Sequence, residues 1–313
     1  MITVSVPGKI HLMGEHAVVY GKPALLAAVN KRLTVSIEKK DAGIEIVSDE
    51  PTEYVHKILE LVAKEHHLDT LPGMRIRIIS AFPAGYHLGS SAAVAVALVG
   101  AATYFLKKIW NPIAINQLAF EAEKIAHGNP SGADNTAVTF GGFVWYRKEL
   151  PFLKSIWQLP LKIPQALNHF YLINTGKPEE TTKEMVEFVG AQVRHAPTDM
   201  AQIMDRNEQE TRNIARAVKD QDEQGFITAM REGEKTLETM GVVSDKVIPC
   251  LRAIEQSGGA AKILGGGGKK GAVGYLLAYH ADKNTLANAV MGFGYAAESI
   301  TLGEEGIRLE EKE

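Results

Sequence analysis

Between Phe82 and Leu98 the chain reads FPAGYHLGSSAAVAVAL, a glycine-interrupted loop and two hydroxyls set directly before a run of small apolar residues. A helix start leaves backbone N–H groups without intrahelical partners and carries partial positive charge, so small residues there let a phosphate approach closely. Ser90 and Ser91 stand where such an anion, or a metal riding on it, would sit. The competing reading is that the serines do no more than cap a core helix. Two familiar nucleotide signatures do not decide the matter. G-x-x-x-x-G-K-[ST] is absent, and Gly266–Gly271, a formal match to G-x-G-x-x-G, runs into AVGYLLAY, a strand pattern where a dinucleotide fold needs a helix. Three further stretches share the same make-up, a glycine-bearing loop with polar groups between regular elements: PGKIHLMGEHAVVYG, EKIAHGNPSGADN and KILGGGGKKG.

Composition limits what such loops can serve. At 313 residues, 45% apolar and 23% charged, the chain has ordinary globular usage and length enough for two domains sharing a cleft. A formal charge of −3 with no long basic block argues against nucleic acid or an anionic membrane as a main partner. Cys250 is the only cysteine, which excludes an intrachain disulfide and a cysteine-rich metal site, and a reducing, cytoplasmic setting is expected. The first residues, MITVSVPGKI, read as a strand rather than a signal peptide. The most apolar run, Ala92 to Leu106, falls short of the roughly 20 residues needed to cross a bilayer and is expected to be a helix buried in protein.

The elements that must position these loops follow from periodicity. Short β-type runs, TVSV, IHLM, LTVSI and IEIV, are separated by PGK, YGKP and KKDAG. Glu53 to Leu68 carries Val55, Ile58, Leu59 and Val62 on one helical stripe, with His66-His67 at its solvated end. Arg75 to Ser80 is a strand leading into the serine loop. Asn111-Pro112 ends the buried helix, and Ile113 to Ala126 forms another that stops at His127-Gly128. HGNPSGAD is expected to turn the chain into a strand, VTFGGFVWY. Between Tyr146 and Asn168 the sequence is irregular, with Pro151, Pro160 and Pro164, and the domain boundary belongs there. Beyond it lie a strand, HFYLINT, about four helices from Glu180 to Gln256, strands AKIL and AVGYLLAY around GGGGKKG, a short helix and strand, and an acidic tail, EEGIRLEEKE, expected to fray. The irregular alternation predicts an α+β fold with mainly antiparallel sheets.

Taken together and in this order, the four loops resemble the GHMP kinases, the family of galactokinase, homoserine kinase, mevalonate kinase and phosphomevalonate kinase. GEHAVVYG and HGNPSGAD make the mevalonate kinases the nearest branch. The resemblance runs over nearly the whole chain. It implies a two-domain fold, 1–165 binding nucleotide and carrying the catalytic groups and 166–313 completing the acceptor site, with the active site in the cleft between them. It also implies ATP and Mg²⁺ as cofactors, with Gly85, His87, Leu88, Gly89, Ser90, Ser91 and Ala92 around the phosphates and Ser91 and Glu123 as metal ligands.

By the same resemblance Asp134 is the catalytic aspartate and Lys9 its partner, while Glu15, His16 and Thr182 line the acceptor pocket. Taken singly, each residue has a plainer reading: a solvated lysine, a helix cap, an ion pair closing a turn. Thr182 could equally be an N-cap. The implied reaction is phosphorylation of the C5 hydroxyl of mevalonate. Phosphomevalonate as acceptor, and a catalytically inactive nucleotide-binding paralogue, are the alternatives, and a homodimer is left open. Two departures stand out. The family has glycine where this chain has His87, and a threonine where it has Leu264. His87 is expected to touch phosphate, and Lys269-Lys270 either are solvated or favour a more anionic acceptor.

Overall fold

The computed structural model describes residues 1–49, 52–127, 130–150 and 152–310, with backbone alone at 126 and 127. Two sheets organise the described residues. The first has the order β11-β1-β2-β4-β3, with a hairpin β5-β6 attached to β2. Its strands are β1 (Ile2–Met13), β2 (Pro23–Lys39), β3 (Ile44–Val47), β4 (Met74–Ser80), β5 (Phe143–Leu150), β6 (Leu153–Leu159) and β11 (Arg308–Glu310). Only the β3-β4 pair is parallel. The second sheet, β10-β7-β9-β8, is antiparallel throughout and uses β7 (Phe170–Asn174), β8 (Ala260–Ile263), β9 (Tyr275–Tyr279) and β10 (Ala297–Ile300). This is the expected α+β architecture with mainly antiparallel sheets.

The helices are α1 (Thr52–Glu65), α2 (Ser90–Lys107), α3 (Pro112–His127), α4 (Ala133–Phe140), α5 (Thr182–His195), α6 (Pro197–Asp220), α7 (Glu223–Thr239), α8 (Ile248–Gln256) and α9 (Lys283–Met291). Every residue of α2 from Ala92 to Thr103 is buried. A helix apolar on all sides is stable only where protein surrounds it, and the alanines let it lie close to β1, β2, α1 and α3. It is long and apolar enough to span a bilayer by composition, yet it is packed inside this chain.

Four expectations change. The runs TVSV and IHLM are one strand, β1, which crosses Pro7-Gly8 with a shift in register instead of breaking there. Bulges of this kind re-aim side chains without ending a strand. Val138–Phe140, expected to open a strand, are the end of helix α4; the strand begins only at Phe143. β-branched residues are tolerated in this helix because its inner face is buried. The irregular stretch after Tyr146 is the β5-β6 hairpin, whose register pairs Trp145 with Trp157; Pro151 lies outside the described residues. The tail does not fray as far as Glu310. Arg32 donates to the carbonyls of Ser5, Glu305 and Gly306 at 3.1, 2.9 and 2.8 Å, Ile307 is buried against α2 near Gly100, and β11 pairs with β1.

Candidate active site

The site is built outward from the middle of β1. The Lys9 backbone N–H donates to the Leu88 carbonyl at 3.0 Å, tying the strand to the serine loop before α2. The Lys9 side chain then runs across Gly89, where an added Cβ would lie 2.9 Å from Lys9 Cγ. Gly89 has φ +77 and is the N-cap residue of α2, so glycine is required there twice, for its backbone and for its bareness. Gly85 and His87 are also left-handed, at φ +82 and +68. Gly89 offers no side chain to cap α2.

Lys9 reaches Asp134, its Nζ 3.0 Å from Oδ2. Asp134 lies in the first turn of α4, behind Gly132 at φ +86, where the helix end favours a carboxylate. The lysine is 5% exposed and the aspartate 38%, so the cation is held and the carboxylate still meets solvent or a ligand. Tyr146, buried nearby, has its phenol pushed up to about 12 by burial and by the Asp134 charge. Sequence reasoning missed His11. Its Nδ1 accepts from Lys9 Nζ at 3.4 Å, and burial, then the charges of Lys9 and Lys262, hold it well below the ordinary histidine range, so it is neutral beside the lysine. The signal was present: residues two apart on a strand share a face.

Ser91 and Glu123 come together from α2 and α3, Ser91 Oγ donating to Glu123 Oε2 at 3.2 Å. Glu123 is buried, and its Oε1 accepts from the Tyr54 hydroxyl at 2.7 Å. Tyr54 was another omission: it lies at the start of α1, and residues 50 and 51 before that helix lie outside the described residues. A hydroxyl and a carboxylate beside the start of α2 are oxygen donors suited to Mg²⁺ on a nucleotide. Among the described residues no three His, Cys, Asp or Glu side chains could hold a metal by themselves, so phosphate oxygens and water would have to complete such a shell.

The acceptor candidates are held by the second sheet. Glu15 is buried and paired with the Lys262 ammonium, which also donates to the carbonyls of Ile263 and His11 at 2.6 and 3.3 Å. Burial raises the Glu15 pKa, with Lys262 opposing the rise. Glu234 of α7 accepts from the Ile263 N–H at 3.0 Å, and burial drives its pKa well above the carboxylate range. His16, at φ +59, donates from Nε2 to the Gly266 carbonyl at 3.1 Å; burial lowers its pKa to about 4. His87 is lowered to about 4 as well, by burial and then by Lys9 and His16, with the Gly267 backbone and Asp134 acting the other way. Sequence reasoning noted Lys262 without giving it a role and did not single out Glu234.

Thr181, not Thr182, caps α5: its hydroxyl accepts from the Glu184 N–H and Glu184 reaches back to the Thr181 N–H. Thr182 is exposed in the first turn, beside Gly266. Lys269 is turned onto α5, its ammonium 3.6 Å from the centre of the Phe188 ring. Leu264 is fully buried in the core. Gly128 and Asn129 of HGNPSGAD lie outside the described residues.

Comparison with known proteins agrees with this arrangement. Residues 53–142 match the model of the GHMP kinases N terminal domain. The mevalonate kinase of Pyrococcus abyssi is 30% identical, the match covering 99% of this chain and 98% of that protein, and that of Thermococcus gammatolerans is 31% identical over the same shares. The chain belongs to the mevalonate kinase family. The crystal structure of the L. major mevalonate kinase in complex with R-mevalonate superposes with a TM-score of 0.80, covering 96% of each chain at 21% identity, which shows a shared fold. In this mevalonate kinase family member the fold thus pairs Lys9 with Asp134 and Ser91 with Glu123 near the loop that precedes α2. Glu15 and His16 are anchored instead to β8 and the glycine loop after it.

Proposed function

We propose that this chain transfers the γ-phosphoryl group of ATP to the C5 hydroxyl of mevalonate, giving 5-phosphomevalonate and ADP. The observation that carries the reading is the Lys9–Asp134 contact, 3.0 Å long, placed beside the start of α2. Phosphoryl transfer to an alcohol needs the hydroxyl aimed in line, its proton accepted, and the charge on the transferring group offset. Asp134 accepts the hydroxyl proton at its carboxylate. Lys9 fixes that carboxylate and stabilises negative charge on the acceptor and transferred oxygens. The loop 85–92 cradles the phosphates with its backbone, Ser90 and Ser91 flanking them. Ser91 and Glu123 hold Mg²⁺, and the chemistry it supplies is neutralisation of phosphate charge.

In this reading His16 and Thr182 face the acceptor, Glu15, closed off by Lys262, supports that wall from within, and 1–165 supplies the nucleotide side and 166–313 the rest of the pocket. Of the two lysines that favoured a more anionic acceptor, Lys269 is engaged with Phe188, which weakens the phosphomevalonate alternative. The test is ADP release by purified protein with Mg-ATP and a panel of acceptors. Turnover with mevalonate and not with 5-phosphomevalonate, homoserine or galactose is expected. Turnover with phosphomevalonate alone, or ATP binding without turnover of any acceptor, would overturn the assignment.

A further inference from the structure

Five described non-glycine residues have positive φ: His16, His67, His87, Lys108 and Gln221. His67, Lys108 and Gln221 follow the ends of α1, α2 and α6, where such a residue is a common stop. His16 and His87 lie instead in the two loops that flank Lys9. A side-chain-bearing residue keeps this conformation only where its surroundings hold it.

Both histidines lean on the same partner, the glycine loop between β8 and β9. His16 does so through Gly266, as described above. His87 does so by shape. A Cβ on Gly265 would sit 2.7 Å from His87 Cβ and Cγ, and one on Gly274 would sit 3.1 Å from His87 Cδ2. The ring therefore occupies a notch that exists because both residues are glycine. Beside it Tyr86 packs on Tyr275 with ring centroids 5.6 Å apart. His87 Nε2 is buried without a hydrogen-bond partner among the described residues, so the ring is held by its packing in the notch together with the Gly267 backbone.

We propose that His87 is a positioning residue that interlocks the phosphate loop with the glycine loop between β8 and β9, its ring seated in the notch formed by Gly265 and Gly274. A loop held in its binding shape before the nucleotide arrives loses less conformational freedom on binding, so the interlock acts on nucleotide affinity. That consequence rests on the kinase reading; the interlock itself does not.

The test uses the full chain without nucleotide. Hydrogen exchange of amides 85–89 and KM for ATP are measured in the wild type, His87→Gly, His87→Asn, Gly265→Ala and the His87→Gly/Gly265→Ala double variant. Removing the ring is expected to speed exchange and raise KM for ATP by about tenfold, the loss falling on KM more than on kcat. His87→Asn tolerates the left-handed backbone but is too short to fill the notch, and is expected to behave like the glycine variant. Gly265→Ala carries its own backbone strain in either background, so the ratio between backgrounds isolates the ring; its effect should be about tenfold larger with His87 present. Equal effects in the two backgrounds, unchanged exchange in His87→Gly, or wild-type behaviour of His87→Asn would each overturn the interlock. If no acceptor is turned over while the exchange measurements still show the coupling, the kinase reading fails and the interlock stands.

Discussion

Lys9 and Lys262 each meet one carboxylate, and the two pairs differ in almost everything else. Lys262 and Glu15 are 0% and 1% exposed, joined across 247 residues of chain between the end of β1 and β8. Lys9 and Asp134 are 5% and 38% exposed, and the aspartate rides on a helix start. A fully buried pair is a fixture, since neither charge can be uncovered without a large desolvation penalty, even though Glu15 Oε2 has no hydrogen-bond partner among the described residues. A pair with one partner half open can exchange a proton with a ligand while its cation stays in place. The difference teaches that a lysine–carboxylate pair becomes chemistry only where the fold leaves the carboxylate reachable.

The comparison is broken most directly at Asp134. Asp134→Asn keeps size and polarity and removes the proton acceptor, so kcat for ADP release is expected to fall by about 10³-fold, within the span known for acid–base groups. The melting temperature should stay close to wild type, because the residue is partly exposed. A loss of less than tenfold in kcat would show that Asp134 does not take the proton.

Lys262→Met is expected to act on the fold instead. It leaves the Glu15 carboxylate buried without its partner, a change that typically costs about 3–5 kcal/mol. Urea unfolding measures it, and the Glu15→Gln/Lys262→Met double variant should regain most of the loss. If Lys262→Met left stability unchanged and only slowed turnover, the division between a structural pair and a chemical one would be wrong.

Tyr54→Phe sharpens the metal side. The hydroxyl orients Glu123, and loss of such an outer contact is expected to raise the Mg²⁺ concentration for half-maximal activity by about tenfold. An unchanged Mg²⁺ dependence would remove Glu123 from the proposed site.

The smallest expected effect is on the pH profile of stability. Glu234 has its folded pKa raised well above 4.5, so the folded state holds a proton that the unfolded state releases as pH rises beyond the ordinary carboxylate range. Its stabilising contribution is complete below 4.5 and is lost as pH climbs toward the raised folded value. Glu234→Gln should flatten that decline. His16 and His87, lowered from 6.5 to about 4, give the opposite slope, losing stability as pH falls from 6.5 toward 4. Denaturant midpoints from pH 4 to 9 separate the two; no change in the alkaline limb for Glu234→Gln would mean its carboxyl is ionised in the fold.

Legibility in the sequence followed the range of the interaction. The α1 stripe of Val55, Ile58, Leu59 and Val62, the buried stretch of α2 and the four helices between Thr181 and Gln256 were readable because helical period and glycine stops are local. α4 was misread because VTF favours strand, while what holds it helical is the burial of Ala133 to Thr139 against neighbours distant in the chain. The tail was misread for a similar reason: nothing near Glu304–Glu310 announces Arg32, which binds its carbonyls from β2. His11 could have been found from its spacing to Lys9; Lys262's pairing with Glu15 and Glu234's place under β8 could not, since no short-range pattern relates them.

From its own residues the chain determines the small-residue stretches that allow close approach, the side chains carrying hydroxyl, carboxylate and ammonium groups, and the periods that make helices and strands. These are properties of neighbours along the backbone. Only tertiary structure decided that Lys9 meets Asp134, that Glu15 is closed off by Lys262, and that the His87 ring finds its seat between Gly265 and Gly274. Each of those outcomes depends on burial and on distances between residues far apart in sequence, and burial is what turns the same ion pair into either a fixture or a reactive group.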